Sequence, residues 1–384
     1  MTYNIIALNI HFQLSNKPKL NLSLLGGDFG EVIYLLFAAK NGVFDEGSAF
    51  AALDRTLLSF RQGRLYPTYC DGIAGFFTGM EILEEMGMIE GFSSAARQCD
   101  PLVADALSYY INDNFDFLHG AIGIGIYMAR HLNDSEILSH NTDLLVDSIE
   151  RNALYFPHGE VSLLFKNSKG DMSPNLSLSH GLAAVILFLS RVARYSSNPL
   201  TKEKASSLAE GMVRYLISQF IDPVRYGSFT PAFPRELRAD PHMSRLGWCY
   251  GDIGSVVALR EYHRSFGDSN ALDWAERISR HILTRRLDAE ANFIFDAGLC
   301  HGASGVIQFI KTCRGEEAAD ALSYWERIRD GMLRVDNDKP YFGRFVRDKG
   351  GIIPCLNLLE GDAGIALSMM NENSLINKIL LYEE

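Results

Sequence analysis

Long apolar runs are missing from this chain, and cysteine is scarce. No uninterrupted apolar stretch approaches the length of a membrane span, since the run at 183–189 is too short. The amino terminus carries no export signal, so the six cysteines among 384 residues indicate reduced thiols rather than a disulfide framework. Basic residues are also too few for a general nucleic-acid binder, because the formal net charge is −11. We therefore expect a cytoplasmic protein without a transmembrane segment.

A repeated glycine motif is what the chain does have. The pattern Gly-x-x-Gly, with Ala184 in place of the second glycine of the fourth copy, opens seven apolar stretches. The first glycines of the copies are Gly27, Gly72, Gly120, Gly181, Gly251, Gly302 and Gly361. They are 45 to 70 residues apart, which is the spacing of two-helix repeat units. Each apolar stretch predicts a buried helix.

Amphipathic segments alternate with these apolar stretches and predict exposed helices at 200–217, 271–286, 320–335 and 373–382. Because no unit can bury its own apolar face, neighbouring units must stack, either as an open solenoid or as a closed ring. An open stack would expose one end, so we predict an all-α (α/α)7 toroid spanning 1–384 as one domain. A small hairpin is expected around 152–175 and a long loop at 222–247.

Two cysteines and a histidine occupy the same register of adjacent repeats. Cys249 lies two residues before Gly251, and Cys300 and His301 directly precede Gly302. Two sulfurs and an imidazole suit zinc, and three protein ligands leave its fourth position open. The alternative is that a lone cysteine is a small buried hydrophobe, which is how we interpret Cys99, Cys313 and Cys355. Cys70 shares the register in the second repeat and is a weaker candidate for lining the site.

Three further polar residues precede the glycines of neighbouring repeats. His180, before Gly181, is either a hydrogen-bonded core residue or an acid or base. Asp116 is either a helix N-cap or the partner of that histidine. Arg245, four residues before Cys249, is either a salt-bridge residue or a clamp for an anion or carbonyl.

The segments Ser-Arg-Leu-Gly-Trp-Cys-Tyr-Gly at 244–251 and Leu-Cys-His-Gly at 299–302 resemble signatures of the lanthionine synthetase C-like family, the LanC cyclases of lantibiotic biosynthesis. The segments at 175–181 and 359–364 look like further blocks of that family. The resemblance implies zinc held by the set Cys249, Cys300 and His301, and an acid/base pair of Asp116 and His180. It also implies that Arg245 and Tyr250 lie near the metal. The chain departs from the family pattern at Ala184 and at His119, where some relatives have glutamate.

The implied activity is a zinc-dependent cyclase. It would add peptide cysteine thiols to dehydroalanine or dehydrobutyrine and so form thioether rings in a dehydrated precursor peptide. The resemblance further implies a stand-alone cyclase, with a separate dehydratase and an exporter as partners. Two alternatives stay open: addition of glutathione or another small thiol to dehydrated residues, and a non-catalytic helical scaffold that holds zinc. A structural zinc site would normally have a fourth protein ligand, and only the distant Cys70 is a candidate.

Overall fold

The computed structural model describes residues 2–62, 66–167, 170–234, 245–286, 292–336, 339–370 and 372–382. Within these residues the chain is mainly helical. In chain order the helices are α1 (Thr2–Ser15), α2 (Asp28–Lys40), α3 (Glu46–Gln62), α4 (Ile73–Glu85), α5 (Phe92–Ala96), α6 (Asp100–Ser108), α7 (Ala121–Ala129), α8 (Glu136–Asn152), α9 (Leu182–Tyr195), α10 (Pro199–Ser218), α11 (Pro223–Tyr226), α12 (Asp252–Phe266), α13 (Ser269–Thr284), α14 (Ala303–Ile310), α15 (Glu316–Asp330), α16 (Asp362–Met369) and α17 (Asn373–Ile379).

Short strands form four antiparallel pairs in the described residues. They are β1 (Leu154–Tyr155) with β2 (Val161–Ser162), β3 (Phe165–Lys166) with β4 (Met172–Ser173), β5 (Arg334–Asp336) with β6 (Lys339–Tyr341), and β7 (Arg344–Val346) with β8 (Gly351–Ile353). The first two pairs fall in the segment where the sequence predicts a small hairpin. Of the predicted long loop at 222–247, residues 222–234 contain the single turn of α11, and 235–244 lie outside the described residues.

All seven predicted buried helices are present. Each begins at the residue after the first glycine of its motif, and they are α2, α4, α7, α9, α12, α14 and α16. Their side chains are buried on nearly every face; in α9 every residue from Leu182 to Ala193 is buried. Burying one large aliphatic side chain contributes about 1.5–3 kcal/mol, so these helices are the main source of core stability.

The chain divides into two compact units. The first unit comprises Met1–Glu90 and Ile294–Glu384, and the second comprises Gly91–Phe293. In the second unit α9 packs against α7, α10 and α12. In the first unit α2 packs against α1, α3 and α16, while α14 packs against α15 and α16. In each unit the buried helices therefore pack both against one another and against outer helices.

The predicted exposed helices are present with shifted ends, as α10, α13, α15 and α17. The prediction of helix at 320–335 is wrong at its carboxyl end. The helix stops at Asp330, before Gly331, and Val335 belongs instead to a strand in which it pairs with Pro340. The predicted helix extends beyond Gly331, before which the observed helix ends. It also includes Val335, which lies in a strand paired with the strand that contains Pro340.

Five of the seven loops that precede the buried helices share one hydrogen-bonding scheme. The N–H of the first helical residue donates to the carbonyl seven residues earlier, as from Leu182 to Asn175 at 2.9 Å and from Ala303 to Asp296 at 3.0 Å. The glycine before the helix permits this tight loop, because a Cβ at Gly181 would lie 2.4 Å from the Asn175 carbonyl oxygen. In these five loops the residues just before the glycine therefore have the same backbone setting.

Candidate active site and metal ligands

His180 and Asp116 meet in the second unit. The Nδ1 atom of His180 lies 2.6 Å from Oδ2 of Asp116, which is a short charge-assisted hydrogen bond. The His180 side chain is 31% exposed and that of Asp116 is 15% exposed. The imidazole is therefore fixed by one carboxylate and still open to a substrate.

The second oxygen of Asp116 holds its own loop. Oδ1 accepts a hydrogen bond from the His119 N–H at 2.8 Å, and the Asp116 N–H donates to the side-chain oxygen of Asn114 at 3.2 Å. Helix α7 begins only after Gly120, so Asp116 caps a turn of the preceding loop rather than the helix. The expectation of a helix N-cap is therefore wrong, whereas the expected contact of Asp116 with His180 is present.

Asp116 sets the protonation of His180. Burial lowers the pKa of this imidazole, but the hydrogen bond and the negative charge of Asp116 outweigh burial and raise the pKa above its ordinary value. A histidine with a raised pKa holds its proton more firmly near neutral pH. His180 is thereby suited to donating a proton to a reacting atom.

A cavity of about 490 Å³ opens beside this pair, within the second unit. Tyr250 forms part of its wall, where the side-chain amide of Asn175 donates to the Tyr250 hydroxyl at 3.4 Å. Burial raises the pKa of Tyr250, so this hydroxyl stays protonated and can donate. The cavity is lined by Asn114, Asp116, His119, Phe165, Lys166, Asn167, Ser173, Asn175, His180, Phe233 and Tyr250.

Strand β3 brings side chains to the cavity that the sequence reasoning did not single out. Phe165 and Lys166 belong to that strand, and Asn167 follows it. The turn signals at 152–175 predicted a hairpin there, but nothing in the local pattern showed which wall it would form. His119 also lines the cavity, with its ring stacked at 6.1 Å from that of His180.

Cys249 is tied to the loop that carries His180. The carbonyl of Cys249 accepts hydrogen bonds from the N–H of Ser179 at 3.3 Å and from its hydroxyl at 3.2 Å. The Cys249 side chain is buried, at 4% exposure. The preceding Trp248 packs edge-on against Phe117 with ring centroids 6.1 Å apart. Cys249 therefore belongs to the same rigid group of loops as the Asp116–His180 pair.

Arg245 lies at the edge of the described residues and is half-buried. The next residue, Leu246, donates its N–H to the Asn292 carbonyl at 2.9 Å, which anchors the backbone there. Gly251 has φ +112°, a conformation that residues with a Cβ rarely adopt, so the turn after Tyr250 requires glycine.

Cys300 and His301 lie in the first unit, directly before Gly302. The N–H groups of Leu299 and Cys300 both donate to the Leu359 carbonyl at 2.9 Å, which holds this loop in place. Cys300 is buried at 8% exposure, and the His301 side chain is 19% exposed. The loop therefore offers one buried thiol and one imidazole that solvent still reaches.

The predicted ligand set is divided between the units, with Cys249 in the second and Cys300 and His301 in the first. Its chemistry fits zinc, because thiolates and imidazole are the ligands that zinc prefers in proteins. With three protein donors the fourth position of a tetrahedral zinc would be open to substrate. The prediction that Cys99, Cys313 and Cys355 are buried is wrong, since all three are half-buried.

Comparison with known proteins identifies the family of this chain. The profile of the lanthionine synthetase C-like protein family matches residues 33–377, so the chain belongs to that family. A search of curated proteins found no match.

Solved structures show which fold this family member has. The chain is similar to nisin cyclase at 17% identity, with 97% of this chain and 96% of that chain covered and a TM-score of 0.69. It is also similar to an unsaturated glucuronyl hydrolase from Bacillus sp. GL1, at 12% identity over 81% and 85% of the two chains, but the TM-score of 0.49 is too low to support an inference. The likeness to nisin cyclase confirms the predicted fold class, an all-α (α/α)7 toroid. Among the described helices, none has both the length and the apolar character that a bilayer span requires.

Proposed function

We propose that this chain is a zinc-dependent cyclase that adds cysteine thiols of a peptide to dehydroalanine or dehydrobutyrine, forming lanthionine or methyllanthionine rings. The observation that carries the proposal is the 2.6 Å contact between Asp116 and His180, which lies beside a cavity in a chain of the lanthionine synthetase C-like family. Family membership supports an enzyme of the cyclase type. The substrate is a dehydrated precursor peptide, and a separate dehydratase would supply it.

Cys249, Cys300 and His301 are the residues that would hold the zinc ion. When bound there, zinc would lower the pKa of a substrate thiol and so favour the thiolate near neutral pH. The buried state of the two cysteines fits this role, because limited solvent access lowers the local dielectric constant and so influences the pKa of a group bound to the metal.

His180 is the proposed acid. Attack of the substrate sulfur on the β-carbon forms the C–S bond and moves the double-bond electrons towards the α-carbon and its carbonyl oxygen. A proton must then be delivered to the α-carbon, while the thiol has lost one, so the addition is balanced. His180 delivers that proton from Nε2, since Nδ1 is occupied by Asp116.

Asp116 is the proposed orienting partner. It fixes the ring of His180 and stabilises its protonated form, which is present when the enolate needs a proton. Arg245 and Tyr250 are proposed to stabilise the negative charge on the enolate oxygen, since a guanidinium and a protonated phenol are both donors.

The test uses a peptide that contains one dehydroalanine and one cysteine. The peptide is incubated with the zinc-loaded protein, and the remaining thiol is then alkylated and counted by mass spectrometry. Cyclisation leaves the peptide mass unchanged and removes the alkylation site, whereas the buffer control stays fully alkylated. A peptide whose thiol remains fully alkylated would contradict the proposal.

A parallel incubation with glutathione separates the two enzymatic alternatives. A cyclase leaves glutathione unused, whereas an enzyme that adds small thiols raises the peptide mass by one glutathione. A protein that changes neither peptide behaves as a scaffold.

A further inference from the structure

Asp296 is a buried carboxylate next to one of the proposed zinc ligands. Its side chain is 1% exposed and it lies five residues before His301 in the first unit. Oδ1 accepts a hydrogen bond from the N–H of Gly298 at 3.1 Å, and Oδ2 accepts one from the N–H of Phe345 in β7 at 2.9 Å. The carboxylate is thus held from two directions and cannot swing freely.

The same Oδ2 faces the ring of His301. It lies 3.7 Å from Nε2, which is longer than a hydrogen bond but within the range of an ion pair. A histidine that binds a metal through one ring nitrogen generally points the N–H of the other at a carboxylate or carbonyl. With Nε2 turned towards Asp296, Nδ1 is the nitrogen left for a metal.

We propose that Asp296 is a positioning residue that orients His301 and selects Nδ1 as its zinc-binding atom, an inference that rests on the proposed function. The carboxylate stabilises the tautomer that carries its proton on Nε2. It also makes Nδ1 a stronger donor to the metal, because the negative charge increases the electron density of the ring. The backbone contacts to Gly298 and Phe345 supply the rigidity that this orientation needs.

The competing explanation is that Asp296 only anchors backbone. Asp362 provides the matched case within the same unit. It is buried at 2% exposure, and its carboxylate accepts from the N–H groups of Phe342 at 2.8 Å and Gly343 at 3.0 Å. These contacts of Asp362 are to backbone N–H groups rather than to a proposed ligand, so an effect shared by both aspartates would be structural.

The experiment compares zinc affinity, by competition with a chromophoric chelator, for wild type, Asp296→Asn and Asp362→Asn. We expect Asp296→Asn to bind zinc about tenfold to a hundredfold more weakly than wild type, the range for loss of an outer partner of a ligand. Asp362→Asn should keep wild-type affinity while losing thermal stability. Equal weakening in both variants, or none in Asp296→Asn, would overturn the inference.

A spectroscopic readout reports orientation directly. In zinc-loaded wild type, ¹⁵N-labelled His301 should show a slowly exchanging proton on Nε2, and this proton should exchange rapidly in Asp296→Asn. If Asp296→Asn does not fold, Asp296→Glu carries the test, since it keeps the charge but displaces it by one methylene. Its zinc affinity should fall, and wild-type affinity and exchange would overturn the inference. Absence of zinc binding by wild type would instead refute the proposed function itself.

Discussion

Two loops of the same register carry His180, the proposed acid, and His301, a proposed metal ligand, and they differ in the partner of each ring. In both loops the histidine directly precedes the glycine, and the first helical N–H bonds to the carbonyl seven residues earlier. His180 presents Nδ1 to Asp116, which comes from the loop of another repeat, at 2.6 Å. His301 faces Asp296 of its own loop through Nε2 at 3.7 Å. The two loops therefore share a backbone conformation, but each histidine ring faces a different carboxylate through a different nitrogen.

The largest expected effect is loss of the proton donor in the first of these loops. Replacement of His180 by asparagine should lower the cyclisation rate about a hundredfold to ten-thousandfold, the usual contribution of a general acid. Zinc content should stay at the wild-type level, since His180 is not one of the proposed zinc ligands. The rate is measured by disappearance of the alkylatable thiol.

His140→Asn is the control for this substitution, because His140 is an exposed residue of α8. It should retain full activity. A His180→Asn protein that cyclises at the wild-type rate would show that His180 is not the proton donor.

The second-largest expected effect is a loss of stability when the tight turn before a buried helix is disturbed. Gly181→Ala should destabilise the protein by about 1–3 kcal/mol, because its Cβ would lie 2.4 Å from the Asn175 carbonyl and force the loop to move. Denaturant unfolding measures this change.

Gly47→Ala is the matched control, since its Cβ would approach no closer than 3.5 Å to Asp45 within α3. It should be neutral or stabilising by up to about 1 kcal/mol, because alanine favours helix more than glycine does. Equal effects of the two substitutions would show that the tight loop does not depend on glycine.

The smallest effect concerns the protonation of His180. Asp116→Asn removes the charge that raises the pKa of the imidazole, so that pKa should fall. His180 acts in its protonated form, so the loss of activity as pH rises should begin at lower pH in the variant. The pKa is measured by NMR titration of the His180 ring. An unchanged pKa would show that Asp116 is not the partner that raises it.

The seven buried helices could be predicted because two local signals coincide, an apolar stretch and a Gly-x-x-Gly motif that keeps both glycines in every copy but the fourth. The ends of the amphipathic helices were less predictable, since Val335 belongs to a strand that depends on pairing with Pro340. For the candidate site, register placed His180 and Asp116 in corresponding loops. The register did not show that Nδ1 of His180 and Oδ2 of Asp116 are the atoms in contact.

What the sequence reasoning missed depends on tertiary contacts between distant segments. Lys166 lines the cavity because strand β3 forms part of the cavity wall. Asp296 accepts a hydrogen bond from the backbone N–H of Phe345, 49 residues away. Neither residue belongs to a motif. Their positions follow from how separate loops pack, which local periodicity does not encode.

Elemental analysis of the purified protein measures whether it holds the proposed zinc ion. We expect about one zinc per chain in wild type, loss of the metal in Cys300→Ala, and retention in Cys313→Ala, a half-buried cysteine outside the proposed ligand set. A metal-free wild type, or a Cys300→Ala protein that keeps its full zinc content, would contradict this expectation.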